Sequence, residues 1–108
     1  MKKVIVTGGA GFVGHNLCKK LVSLGYDVTS IDNYSTGFVS NHVEGVEYLS
    51  QDISDYDAMQ ELIQGASIIF HLAALARIQP SFRHPKKYFE SNVVGTFNIC
   101  QLASAFGI

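Results

Sequence analysis

Two cysteines and two prolines in 108 residues leave little to staple or punctuate this chain. Cys18 and Cys100 are expected on helices covering opposite faces of a sheet, so they read as two small buried thiols and no disulfide. Charge is scarce too: 16% of residues are charged, the formal net charge is −1, and no basic run occurs. Nothing in that balance calls for a nucleic acid or an anionic membrane as partner. No apolar stretch is long enough to cross a bilayer. Lys2-Lys3 followed by Val4-Ile5-Val6 is a poor secretory leader, because the apolar run is short and leads into glycines. A cytoplasmic location is the default expectation. Repeats, linkers and low-complexity segments are missing, and 47% apolar content argues against disorder. Residues 1–108 are therefore expected to form one domain.

Several chemistries lack their residues. A nucleoside-triphosphate loop needs Gly-Lys-Ser/Thr, but Gly14 is followed by His15-Asn16. His15, His42, His71 and His84 share no metal-ligand spacing with the cysteines, so no metal is expected. No serine or cysteine carries the local signature of a nucleophile.

What the chain does have is a strand that runs into a glycine turn and then a helix: Val4-Ile5-Val6-Thr7-Gly8-Gly9-Ala10-Gly11-Phe12-Val13-Gly14. Gly8 permits the tight turn, Gly11 lets the backbone approach a phosphate, and Gly14 lets the helix pack closely on the sheet. Unpaired N–H groups and the positive end of the helix dipole then face the ligand. Such a turn can also bind nothing. Here a β-branched run precedes it, an amphipathic pattern follows, and Asp32 falls where a ribose-binding carboxylate should.

Four strand-like runs alternate with helical ones, the pattern of a parallel sheet with crossover helices. Strands are expected at Lys3–Thr7, Asp27–Ile31, Val46–Leu49 and Ser67–His71. The first helix spans Gly11 to Leu24, with the stripe Val13, Leu17, Leu21, Leu24 facing the sheet. Asn33 to Gly45 reads as loop with at most a short helical turn. Ser54 is the expected N-cap of a second helix that buries Met59, Leu62 and Ile63 and stops at Gly65. Pro85 opens a last long helix to about Phe106, with the stripe Phe89, Val93, Phe97, Cys100. Right-handed crossovers give an α/β, doubly wound, Rossmann-type parallel sheet of about four strands, order 3-2-1-4. Its switch point lies between strands one and four, beside the glycine turn.

Asp32 can accept from both hydroxyls of an adenosine ribose while repelling a 2′-phosphate, which favours NAD over NADP. Asp52 follows the third strand at the same edge, where it could take an adenine amino group while Ile53 packs on the ring. Alone it would be an ordinary loop carboxylate. His71 reads as a satisfied strand-end histidine rather than a catalyst, and the small residues Ala73 and Ala74 let the backbone pass close to a cofactor. Arg83, Lys86 and Lys87 read as a solvated helix start.

Taken together, Thr7-Gly8-Gly9-Ala10-Gly11-Phe12-Val13-Gly14, Asp32-Asn33, Asp52-Ile53, His71-Leu72-Ala73-Ala74 and Asn92-Val93-Val94-Gly95-Thr96 resemble the extended short-chain dehydrogenase/reductase family. Within it they are most similar to nucleotide-sugar epimerases and dehydratases of the UDP-glucose 4-epimerase type. The resemblance covers nearly the whole chain. It implies NAD as cofactor, with Gly8, Gly11, Phe12, Val13 and Gly14 at the pyrophosphate and Asp32 and Asn33 at the ribose. It further implies Asp52 and Ile53 at the adenine, Ala73 and Ala74 near the nicotinamide, and Asn92 steadying the site. The family's chemistry also needs a Ser or Thr and a Tyr-x-x-x-Lys pair. Four residues beyond each of the five tyrosines stand Ser30, Phe38, Asp52, Gln60 and Asn92, so no catalytic residue is assigned. The expectation is thus the NAD-binding first part of such an enzyme, taking a UDP-sugar only with a complementing chain. The alternative is a stand-alone, non-catalytic dinucleotide-binding module. A sheet ending at strand four would leave an unpaired edge at Ile68-Ile69-Phe70 and partly bare side chains on strands one and four. In the family the last long helix also helps form the dimer contact, so a homodimer or larger species is expected.

Overall fold

Strand β1 (Lys3–Thr7) has an apolar centre of Val4, Ile5 and Val6 that is wholly buried, because helices cover both of its faces. The computed structural model describes residues 2–108. After β1 come α1 (Phe12–Ser23), β2 (Asp27–Asp32), a 3-10 turn (Val39–Asn41), β3 (Val46–Ser50) and α2 (Tyr56–Ile63). They are followed by β4 (Ile68–His71), α3 (Ile78–Arg83), α4 (Pro85–Tyr88), a π-helical stretch (Phe89–Val94) and α5 (Gly95–Phe106). All neighbouring strands pair in parallel in the order β3-β2-β1-β4, the order expected of the sequence. Thr7 lies level with Ile31 on one side and His71 on the other, so the carboxyl ends of three strands finish together. No helix among the described residues is long and apolar enough to cross a membrane.

Alternation along each strand sends side chains to two separate cores. Val4, Val6 and Val28 meet Cys18 and Leu21 of α1 on one face. Ile5 and Ile31 meet Met59 and Ile63 of α2, Ile99 and Leu102 of α5, and Ile53 on the other. Each fully buried aliphatic side chain contributes about 1.5–3 kcal/mol relative to exposure. Burial also raises the Cys18 thiol pKa to about 11, which makes it inert.

Several local expectations are corrected. The face of α1 that packs holds Gly14, Cys18 and Leu21, while Val13 and Leu24 are exposed. The period was right and the phase wrong, because close helix–sheet approach at Gly14 fixes the rotation of the helix. Asp55, not Ser54, caps α2 by accepting the Ala58 N–H. The expected last helix is three segments, preceded by α3 in what reads as loop, and its buried face is Gly95, Asn98, Ile99 and Leu102. Phe89, Val93, Phe97 and Cys100 face outward, so Cys100 is not a buried thiol. Strand one is not bare either: Leu17, Val43 and Phe70 complete the cover over Val4 and Val6. On β4, Ile68 does remain 39% exposed.

At the end of β1 a threonine–histidine–threonine chain ties two strands to α5. Thr7 Oγ1 accepts from the N–H groups of Leu72 (3.0 Å) and Ala73 (3.1 Å), so its own proton goes to His71 Nδ1 at 2.7 Å. His71 therefore carries its hydrogen on Nε2 and donates to Thr96 Oγ1 at 2.8 Å. Burial lowers the His71 pKa below its ordinary 6.5. Because the folded pKa lies below the unfolded one, this group's contribution is complete above pH 6.5 and is lost as pH falls through the folded value. Denaturant midpoints should consequently drop between pH 7 and pH 5, and His71→Gln should flatten that drop. An unchanged slope would remove His71 from the account.

Beneath the glycine turn, a Cβ on Gly9 would fall 2.2 Å from Ser30 Oγ, a buried hydroxyl with no partner among the described residues. Gly9→Ala should therefore cost about 1–3 kcal/mol by overpacking. In a Ser30→Gly background most of that cost should vanish, which a double-mutant cycle by chemical denaturation would read.

Candidate dinucleotide-binding cleft

The carboxyl ends of β1, β2 and β4 open onto a cavity of about 240 Å3. Ten of the sequence-assigned residues line it: Gly8, Gly11, Phe12, Val13, Gly14, Asp32, Asn33, Ile53, Ala73 and Ala74. Ile31, Ser35, Thr36, Gln51, Leu72 and Ser91 complete the lining. The last six carry no motif of their own. Only their neighbourhood in sequence to Asp32, Ile53, Ala73 and Asn92 could have pointed to them.

The three glycines do different work. Gly8 has φ +76, a left-handed conformation that favours glycine, and a Cβ there would meet the Ala73 backbone at 2.9 Å. At Gly14 a Cβ would stand 2.1 Å from the Gly8 carbonyl oxygen, so α1 can approach the strand end only as glycine. Gly11 differs from both. Its backbone is ordinary extended chain at φ −83, and a Cβ would touch only the Gly8 oxygen, at 3.4 Å. The protein's own packing leaves room for a side chain at Gly11, and the space borders the cleft.

Gly11 is also the N-cap of α1, and no side chain caps it. The N–H groups of Phe12 and Val13 make no hydrogen bond among the described residues. No acidic residue stands in the first turn to neutralise the dipole. An anion at this end would meet free donors and a positive potential.

Asp32 ends β2 almost fully buried. Its Oδ2 accepts the Ala10 N–H at 3.1 Å and its Oδ1 accepts the Tyr34 N–H at 2.8 Å. A carboxylate has about four acceptor sites, so two bonds hold it while capacity remains toward the cleft it lines. Gly37 passes so close that a Cβ there would lie 3.0 Å from Oδ2. The following segment is pinned by features the sequence reading missed. Tyr34 adopts φ +61, its hydroxyl lies 2.7 Å from His42 Nε2, and His42 stacks on Tyr48 at 3.6 Å. Burial and the nearby Asp32 charge both raise the Tyr34 pKa. No lysine or arginine lines the cleft.

Two assigned residues lie outside the lining. Asp52 is exposed and its Oδ1 accepts the Ser54 N–H at 2.9 Å and hydroxyl at 2.8 Å, shaping the turn that presents Ile53. Asn92 uses its whole amide on one residue: Oδ1 accepts the Leu75 N–H and Nδ2 donates to the Leu75 carbonyl, both at 2.8 Å. It braces the strand-four loop from behind. Among the described residues no group of three His, Cys, Asp or Glu side chains could hold a metal ion.

With this geometry in place, likeness to known proteins becomes informative. A UDP-N-acetyl-alpha-D-glucosaminuronate decarboxylase of Bacillus cytotoxicus is 35% identical over 105 residues, which are 94% of this chain and 33% of the relative. A UDP-glucose 4-epimerase of Streptomyces lividans is 34% identical, covering 98% of this chain and 33% of its own length. Among solved structures, a Thermotoga maritima UDP-glucose 4-epimerase with UDP-glucose superposes with TM-score 0.94 at 32% identity over 98% of this chain. A Thermus thermophilus UDP-glucose 4-epimerase in complex with NAD gives 0.89 at 30% identity over 98% of this chain. This chain corresponds to 35% of each of those two structures, so it spans about a third of the proteins it matches. The model of the NAD dependent epimerase/dehydratase family matches residues 4–108, and the chain belongs to that family.

Proposed function

We propose that this chain binds NAD across the cleft and forms the cofactor-binding portion of a nucleotide-sugar epimerase or dehydratase. The observation that carries the reading is Gly11: neither strain nor crowding inside the protein requires a glycine there, so its missing side chain is space for a ligand. The open donors of Phe12 and Val13 suit a pyrophosphate, and Asp32 suits the ribose hydroxyls. Ile53 offers an apolar wall for the adenine. Ala73 and Ala74, held by Thr7, give the nicotinamide a close backbone edge. When bound, NAD supplies a hydride acceptor. The residues present here bind, orient and shield it.

Acid/base work on a sugar hydroxyl would fall to a Tyr-x-x-x-Lys pair, which these 108 residues do not contain. That observation also supports a second reading, a dinucleotide-binding module that performs no catalysis. Under either reading, the outward row Phe89, Val93 and Phe97 and the edge at Ile68 favour self-association. Light scattering at micromolar concentration should give a mass above 11.8 kDa, and a clean monomer would discard that part of the proposal.

Calorimetric titration should detect NAD and rank it above NADP, because the Asp32 carboxylate meets the 2′-phosphate. Asp32→Ala should weaken NAD by about 1.5–3 kcal/mol and narrow that gap. Equal affinity for the two cofactors in the unsubstituted chain would refute the ribose role of Asp32. Gly11→Val should abolish NAD binding with circular dichroism unchanged, whereas retained affinity in a folded variant would refute the pyrophosphate site.

A further inference from the structure

Helix α5 contributes no residue to the lining of the cleft, yet it grips the wall at one end. Asn98 is 5% exposed, and its Nδ2 donates to the carbonyl of Ile53 at 3.0 Å across 45 residues of sequence. One turn earlier, a Cβ on Gly95 would fall 2.5 Å from Ile53 Cδ1. Ile53 is thus fixed at its carbonyl and at its side chain by two positions, three residues apart, on one helix face. Hydrophobic burial alone would not demand this. The same face continues as Ile99 and Leu102, so a leucine at position 98 could join that core. A polar side chain in such a place is costly unless its bond is worth having, and here the bond goes to a cleft residue rather than to the helix itself.

The neighbouring Thr96 acts on the other end. Through His71 and Thr7 it steadies the N–H groups of Leu72 and Ala73, which border the cleft beside β4.

We propose that Asn98 is a positioning residue for the base end of the dinucleotide: by holding the Ile53 carbonyl it sets the apolar wall on which a purine ring packs. Thr96 serves the opposite end in the same indirect way. This inference rests on the dinucleotide reading above.

The test is calorimetric titration of the whole chain with NAD and, separately, with AMP, which carries the base and its ribose without the nicotinamide half. Asn98→Leu should weaken NAD and AMP by the same factor, roughly tenfold. Thr96→Val should weaken NAD and leave AMP unchanged. Asn98→Ser, too short to reach the carbonyl but small enough to fit, should rank as Asn98→Leu does and serves if the leucine variant does not fold. AMP affinity that ignores Asn98 while the unsubstituted chain binds both ligands overturns this inference alone. So does an equal loss of AMP in the Asn98 and Thr96 variants, which would mark a general loosening. An unsubstituted chain that binds neither NAD nor AMP overturns the dinucleotide reading and this inference with it.

Discussion

The close approach of α1 to the tip of β1 is the constraint from which the rest of the site follows. With 2.1 Å between the Gly8 oxygen and a hypothetical Gly14 Cβ, the helix rests directly on the turn that produced it. No larger residue could keep that seat. Because the helix sits low, its amino end lies over the carboxyl edge of the sheet. Because Ala10 is drawn down with it, the Ala10 N–H comes within 3.1 Å of Asp32 on the neighbouring strand. Turn, helix dipole and carboxylate are therefore one rigid assembly rather than three motifs that happen to be close.

Ala10 is the node of that assembly. Its N–H goes to Asp32, and its carbonyl accepts from the Phe38 N–H at 3.1 Å and the Asn41 amide at 2.8 Å. His15 of α1 then donates to the Asn41 carbonyl at 2.6 Å. The segment after β2 is thereby folded back over the start of the first helix, although it holds only a 3-10 turn of regular structure. Side chains replace the backbone ladder that a longer helix would have provided. Tyr34, His42 and Tyr48 do the same on its outer side.

The sheet order, the glycine roles and Asp32 were readable because each is written in local residue types: β-branched runs, spaced glycines, a carboxylate at a strand end. Helix phase was not. Val13 and Val93 lie on stripes as regular as those that pack, and only the docking of Gly14 on Gly8 and of Gly95 on Ile53 selects the buried face. Asn92 and Asn98 were equally hard to place in detail, since an asparagine inside a helix pattern gives no hint of a carbonyl partner 17 or 45 residues away. The Gly9–Ser30 contact is of the same kind. It joins two residues whose need for each other appears only when the strands are in register.

The π-helical stretch Phe89–Val94 makes the last helical region sensitive to length in a particular way. A π turn holds one residue more than an α turn, so it behaves as an insertion absorbed inside a helix. Here the widened turn lets Ser91 border the cleft while Asn92, its neighbour, reaches Leu75. Loss of a single residue from this stretch would restore an ordinary helix and rotate everything after it by about 100°. Leu102 and Asn98 would swing off the core together. The segment can therefore exchange residues freely, but it cannot shorten by one without unseating the whole helix behind the cleft.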